Sequence, residues 1–434
     1  MKINIAFDQI DSYNLEKTLI GKRFKHGSQW IEHSVESVQY HTISDCFKYN
    51  YPCVYPIGTI GGPKWYLKQR SDKDRGIFFN NLPKELIEHC KNDRAMIHLD
   101  QTMEGFPLLE QITPYNKPFI IDYYKIIHDN LQRLGIHPSR FLFSTSNLLE
   151  PDLYQTWCNN NDIKDKINII SLPFFACATQ QRGFFDWTDK PDLRDDPHDV
   201  DYDTQVNYKA NNKIKLFNCL NRVNRTHRSA LICMLNHYNL INGNIVSHDY
   251  LPKEFLECVN IDNWSHHASF SGSNFTDIKN KLPLVHDMSN FQVNHAQNFN
   301  KQIYCDTWFS LITETLYEDW KPTIFFSEKI FKPMRAHHPF VLVSHTRSIE
   351  YLKKIGFKTF DKWWDESYDT IDDPVVRMDK ICELVLKLKK KSQQEWLTIY
   401  QEMKPVLEHN YRHLLDTNWF QEPFRKIITE YYEI

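Results

Sequence analysis

Three arginines spaced by three, Arg222, Arg225 and Arg228, follow Asn218-Cys219-Leu220-Asn221, where a strand-like run from Lys213 to Cys219 gives way to helical spacing. A helix start presents free backbone N–H groups and the positive end of the helix dipole, and both suit an anion. Arginine adds planar, paired donors that match phosphate oxygens. Without an anion the arrangement is unfavourable, because each guanidinium opposes the dipole. The plain alternative is a solvated helix start with surface arginines. Asn221 and the three arginines are the first candidate phosphate-binding residues.

A second group lies at Phe326-Ser327-Glu328-Lys329-Ile330-Phe331-Lys332-Pro333, ahead of an apolar run from Pro339 to Ser344. Sugar transfer from a nucleotide diphosphate sugar leaves a diphosphate with new negative charge. An enzyme without a metal must meet that charge with fixed cations. Ser327, Glu328, Lys329 and Lys332 are placed for this, with the Glu available to donor hydroxyls. Thr313 and Glu314, with Thr315, end the strand-like run from Trp308 and are expected to line the same crevice. Alone, this segment reads as a capped helix with an exposed ion pair; beside the arginines it reads as the other half of one site.

The elements that position these groups can be read from apolar periodicity. Ile3 to Phe7, Ala95 to Leu99, Arg140 to Ser144 and Asn168 to Leu172 are short buried-strand runs, and Tyr123 to Leu134 has helical spacing with Ile126, Ile127, Leu131 and Leu134 on one face. Alternating strands and helices predict an α/β fold with parallel sheets. In the second half, a helix capped by Asn224 or Thr226 is expected after the first strand. Further helices are expected at Glu328 to Ala336, Ser348 to Lys354 and Asp379 to Leu388. A helical tail from Gln394 to Tyr432, interrupted at Pro405 and Pro423, is expected to return to the first domain. With 434 residues, two domains are expected. An Asp-rich, aliphatic-poor stretch from Phe185 to Asn212 separates them, giving domains over 1–205 and 206–400 and a tail over 401–434.

The Ser327 to Pro333 helix start, the Pro339 to Ser344 strand and the segment Tyr351-Leu352-Lys353-Lys354-Ile355-Gly356-Phe357-Lys358-Thr359-Phe360 resemble a group of phage glycosyltransferases. More distantly, they resemble the C-terminal donor domain of α1,3-fucosyltransferases of GT-B fold. In that family a Thr-Glu-Lys-aromatic-Arg motif and an upstream Arg hold the donor diphosphate. The resemblance covers roughly 213–370 and implies these roles for Glu328, Lys329 and Phe331, with Arg222, Arg225 or Arg228 as the upstream cation. Lys332 stands where the fucosyltransferases carry Arg, and Met334-Arg335-Ala336-His337-His338 lacks their Gly-containing segment. The implied architecture is GT-B-like, with two Rossmann-like domains facing across a cleft. The implied activity is transfer from a nucleotide diphosphate sugar, such as a UDP-sugar, to an acceptor hydroxyl, with inversion. The nucleotide sugar is a co-substrate; no other cofactor and no metal is expected.

A base for the acceptor proton is sought after the Ala95 to Leu99 strand, where Asp100 and Glu104 are the candidates; turn residues are the plain alternative. The Gly58 to Gly62 turn could shape an acceptor pocket. One acceptor that fits is a hydroxymethylated pyrimidine in phage DNA, which in a duplex requires base flipping and a basic groove. Lys17 to Lys25 and Lys64 to Arg75 are the stretches able to line such a groove. A glycan or protein acceptor is the alternative, as is a non-catalytic nucleotide- or carbohydrate-binding protein that kept the fold. A metal-dependent rival rests on Asp199-Val200-Asp201-Tyr202-Asp203, an Asp-x-Asp pattern able to ligate a divalent ion, yet no strand leads into it.

A net charge of −3 argues against a protein that coats nucleic acid through bulk charge. The sequence shows no charged-then-apolar leader and no apolar run long enough to span a bilayer, so a cytoplasmic protein without membrane partners is expected. The ten cysteines form no CxxC pair and read as reduced, buried thiols. Nothing in the sequence sets an oligomeric state.

Overall fold

The computed structural model describes residues 2–7, 37–58, 77–80, 82–102, 105–112, 119–180, 200–221, 224–251, 255, 267–270, 272–285, 300–317, 323–419 and 421–432. It divides into two compact units, one of Met1–Phe174, Trp320–Phe325 and Asn418–Ile434, the other of Phe175–Asp319 and Phe326–Thr417.

The first unit carries β1 (Lys2–Phe7), β2 (Ser37–Thr42), β3 (Cys53–Gly58), β4 (Ala95–Gln101), the short strands β5 (Leu109–Ile112) and β6 (Phe119–Asp122), then β7 (Phe141–Thr145) and β8 (Asn168–Ser171). Six of them form a parallel sheet in the order β2-β1-β3-β4-β7-β8, while β5 and β6 pair as a separate antiparallel ribbon. Every residue of β4 and β7 is buried, as expected of strands covered on both faces. β3 is not among the expected strands. Pro56 interrupts its pattern, yet β3 runs between β1 and β4 with Pro56 opposite His98.

The helix Tyr123–Leu134 occupies its expected span. Asp122 caps it by accepting from the Lys125 N–H at 2.9 Å, and Gly135 ends it at φ 69°, a conformation that favours glycine. Its buried residues include Tyr123, Tyr124, Ile127 and Leu131, with Ile126 and Leu134 at the margin of the core. The helix Gln421–Tyr432 belongs to the same unit. Phe424 lies edge-on to His98 at 5.3 Å, the Tyr431 hydroxyl donates to the Cys53 carbonyl at 3.3 Å, and the Arg140 guanidinium covers the Tyr431 ring at 5.1 Å. Pro423, an expected interruption, sits in the first turn of this helix, where a missing N–H costs nothing.

The second unit holds β9 (Lys215–Leu220), β10 (Ile245–Ser247), β11 (Thr307–Thr313) and β12 (Phe340–Val343), all parallel, in the order β10-β9-β11-β12. The chain leaves β9 for β10 on one side and returns to β11 on the other. The order therefore reverses between β9 and β11, and in an open parallel sheet ligands bind outside the carboxyl ends of the strands at that reversal.

The unit boundary falls at Phe174/Phe175, earlier than the expected 205, and residues 401–417 lie within the second unit, not in a separate tail. Contacts of polar side chains explain the shift. Lys209, on the helix Tyr202–Asn211, is fully buried and donates to the carbonyls of Tyr304 at 2.8 Å, Cys305 at 3.1 Å and Thr307. Tyr202 stacks on Tyr400 at 5.5 Å, and Gln205 donates to the Ala336 carbonyl. A buried lysine carries no apolar periodicity, so this helix is invisible as core from sequence. Among the described residues no helix is long and apolar enough to cross a membrane.

Gly356 ends the helix Ser348–Lys354 region at φ 97°, and a Cβ there would lie 2.5 Å from His413 Nε2. That nitrogen donates to the Ile355 carbonyl at 2.8 Å and has little room to retreat. Gly356→Ala is expected to destabilise the protein by roughly 1–3 kcal/mol. Urea unfolding checks this, with a lowered midpoint and an unchanged slope as the expected result.

Candidate functional site

At the carboxyl end of β9, the Asn221 N–H donates to the Ser247 carbonyl at 3.1 Å, tying this turn to the end of β10. The Asn221 side-chain oxygen accepts from the Thr313 hydroxyl at the end of β11. Asn221 and Thr313 are both buried. They hold three strand ends in register.

The helix Thr226–His237 starts here. Its capping residue is Arg225, which makes no side-chain capping hydrogen bond, so neither Asn224 nor Thr226 caps it. Arg225 is exposed, while Arg228, one turn on, is 2% exposed. Arg228 Nη2 donates to the carbonyls of Thr313 at 3.3 Å and Glu314 at 3.2 Å. His227 Nε2 donates to the same Glu314 carbonyl at 2.9 Å. Burial, reinforced by repulsion from Arg225, pulls the Arg228 guanidinium down to about 10, against the pull of Glu314 and Glu328. It stays a cation at neutral pH.

The second turn is built on Ser327, whose hydroxyl caps the helix Glu328–Arg335. Glu314, fully buried just past β11, reaches across: its Oε2 accepts from the Ser327 N–H at 3.1 Å and hydroxyl at 2.5 Å. Burial pushes the Glu314 carboxyl above its ordinary value, with Lys329 and Ser327 opposing. Lys329 Nζ donates to Ser327 Oγ at 3.1 Å and Glu328 Oε1 at 2.9 Å. Burial works to raise the Glu328 carboxyl, but Lys329 and Lys332 outweigh it and hold the group at about 2. Pro333 lies inside this helix and has no N–H to return to the Lys329 carbonyl.

The structure therefore brings Asn221, Arg225, Arg228, Thr313, Glu314, Ser327, Glu328, Lys329 and Lys332 to the carboxyl ends of β9 and β11 and the turns that follow. Four cations share a field with two carboxylates, and two helix starts add their dipoles. Arg222 and Glu104 lie outside the described residues, as do residues 59–62 of the glycine turn and the basic stretches 17–25 and 64–75.

Asp100, in the first unit, is 4% exposed at the end of β4. Its Oδ1 accepts from the Thr102 N–H at 3.0 Å, the Thr102 hydroxyl at 2.8 Å and the Ser144 hydroxyl at 2.9 Å. These bonds tie the end of β4 to its own turn and to β7. Of the Asp-x-Asp alternative, Asp201 caps the helix Tyr202–Asn211 and Asp203 pairs with Lys404 at 2.9 Å. Among the described residues, no group of three or more His, Cys, Asp or Glu side chains could hold a metal. In the Trp363 to Asp369 segment, Trp364, Tyr368 and Asp369 are buried: the Trp364 ring lies tilted against Phe360 at 5.1 Å, and the Asp369 carboxylate accepts from the Ile349 N–H at the start of the helix Ser348–Lys354.

Sequence reasoning missed His227, His248 and His345. His248 follows β10, and its Nε2 meets the Ser229 hydroxyl at 3.2 Å. Burial and the nearby Arg228 hold it at about 4, hence neutral at pH 7. His345 is buried just beyond β12. For His248 and His345 the available signal was positional, since each lies two residues beyond an apolar run; His227 carries no such mark.

No protein-family model and no curated protein matches the chain. Among solved structures it is similar to the E. coli trehalose-6-phosphate structure bound with UDP-2-fluoro glucose, at 9% identity and a TM-score of 0.42, covering 100% of this chain and 99% of that one. A trehalose-6-phosphate synthase, OtsA, matches at 9% identity and a TM-score of 0.38 over 100% and 99% of the two chains. The N-terminal domain of Candida albicans trehalose-6-phosphate phosphatase matches at 12% and 0.38, over 99% and 96%. So distant a likeness carries no argument about the site, whose chemistry rests on its own geometry.

Glu328 gives the site a pH signature. Its folded value of about 2 lies below the ordinary 4.5. Its contribution is thus present above pH 4.5 and lost as pH falls toward 2. Glu328→Gln is expected to lower stability at pH 7 by on the order of 3 kcal/mol and to flatten the acid limb in that window. Denaturant unfolding at stepped pH measures both effects.

Proposed function

We propose that the chain is a nucleotide-sugar-dependent glycosyltransferase of GT-B-like architecture whose second unit holds the donor diphosphate. One observation carries this: Arg225, Arg228, Lys329 and Lys332 gather at two helix starts that follow adjacent strands at the sheet's point of reversal. Cations at the positive end of a helix dipole are unfavourable until an anion joins them, and a diphosphate spans two neighbouring turns.

In the reaction, the acceptor oxygen forms a bond to the anomeric carbon as the bond from that carbon to the diphosphate oxygen breaks. The acceptor proton passes to a base, and the nucleoside diphosphate leaves with the extra negative charge. Lys329 and the arginines meet that charge where it develops, which is the arrangement that lowers such a barrier. Fixed cations in these positions suit a metal-independent transfer. Glu328 keeps Lys329 paired and aimed before the donor arrives.

UDP titration by calorimetry tests the donor site, and release of UDP from UDP-glucose tests turnover. Arg225→Ala, on an exposed side chain, and Lys329→Ala are each expected to weaken UDP binding roughly tenfold, about 1.4 kcal/mol and near the low end for a hydrogen bond to a charged group. A panel of nucleotide sugars against hydroxymethylcytosine DNA, glycans and proteins then assigns the acceptor. No binding of any nucleoside diphosphate, or equal binding by both variants and the wild type, would sink the assignment; binding without turnover would favour a non-catalytic binding protein.

A further inference from the structure

We propose that Glu314 is a positioning residue for Lys329, acting through the Ser327 hydroxyl, and that it does not itself touch the donor. This rests on the donor-site assignment above and gives one of its expected contacts a different role. Glu314 is fully buried, and its Oε2 accepts from the Thr315 N–H at 3.3 Å, the Ser327 N–H at 3.1 Å and the Ser327 hydroxyl at 2.5 Å. A serine hydroxyl has one proton to give. With that proton committed to Glu314, the lone pairs of Ser327 Oγ face elsewhere, and Lys329 Nζ donates to them at 3.1 Å. The carboxylate therefore sets the direction of the hydroxyl, and the hydroxyl sets the ammonium.

The same residue reaches the other turn through its backbone. Its carbonyl accepts from His227 and from Arg228. The segment beyond it is clamped, because Tyr317 lies between the His227 ring at 5.4 Å and the Arg377 guanidinium at 4.5 Å, with its hydroxyl on the Pro374 carbonyl at 2.6 Å. Glu314 thus ties both cation-bearing helix starts to the end of one strand. Among the described residues its Oε1 is buried with no hydrogen-bond partner, so a proton or an amide group placed there leaves the contacts of Oε2 intact.

The substitution set is Glu314→Ala, which removes the acceptor, and Glu314→Gln, which keeps an oxygen for Ser327. In the ligand-free protein, the rate of Lys329 acylation by an amine-reactive ester, read by mass spectrometry, is expected to change about threefold or more in the Ala variant and to return toward wild type with Gln. UDP affinity is expected to fall about tenfold in Glu314→Ala and to be largely recovered by Gln. The double variant Glu314→Ala/Lys329→Ala is expected to bind no more weakly than Lys329→Ala alone, since the two losses are one interaction. Ser327→Ala gives the same readouts if Glu314→Ala does not fold. Fully additive losses, or Lys329 labelling unchanged in Glu314→Ala or Ser327→Ala, overturn the proposal. Should UDP fail to bind the wild type, the donor assignment falls, while the labelling comparison still decides the role of Glu314.

Discussion

Two helices that begin with positive side chains are held at the ends of neighbouring parallel strands, and one buried residue, Glu314, bonds to both. Its carbonyl takes His227 and Arg228 from the helix after β9, and its carboxylate takes Ser327 from the helix before β12. That bridge adds a second carbonyl to the one Thr313 offers the buried Arg228 guanidinium, which Arg225 repels. A buried charge is tolerated when paired and hydrogen-bonded, and costs heavily otherwise. The strand register, the clamp on Tyr317 and the pairing of Glu328 with Lys329 all preserve the same arrangement.

The charge balance of the site follows from this constraint. Burial pushes the Glu314 carboxyl up from its ordinary value, while two lysines hold that of Glu328 down. Two carboxyl groups in one crevice are therefore driven apart by environment alone. The cations outnumber the ionised carboxylates, which leaves a positive field at the point where a sheet of this topology places its ligands. His248 adds little to that field, since burial and Arg228 hold it neutral.

Much of the second unit was legible in the sequence, because its strands are short apolar runs and polar residues mark their ends. Ser348–Lys354 matched its expected span, and Glu328–Arg335 stops one residue short. Legibility failed where burial is polar or where a strand departs from type. Lys209 lies in a cage of carbonyls, so the helix that carries it read as part of a linker. β3 contains Pro56, which argues against a central strand on general grounds, and β2 is a largely exposed edge. The helix expected from Asp379 begins at Pro374, where Asp373 caps it. For the site, residue types gave the cations but not their connection: a carboxylate that bonds a serine thirteen positions away leaves no mark in spacing. Asp100 stood out for its place after an apolar run, and its carboxylate accepts from Thr102 and Ser144, contacts that spacing does not reveal.

Residue-resolved amide hydrogen exchange, with and without UDP, tests the central claim most directly. The account predicts slowed exchange at the helix start around Arg225 to Arg228, at Glu314 and Thr315, and at Ser327 to Ile330, with little change at the carboxyl ends of β4 and β7. Protection confined to other segments, or none at saturating UDP, would contradict it.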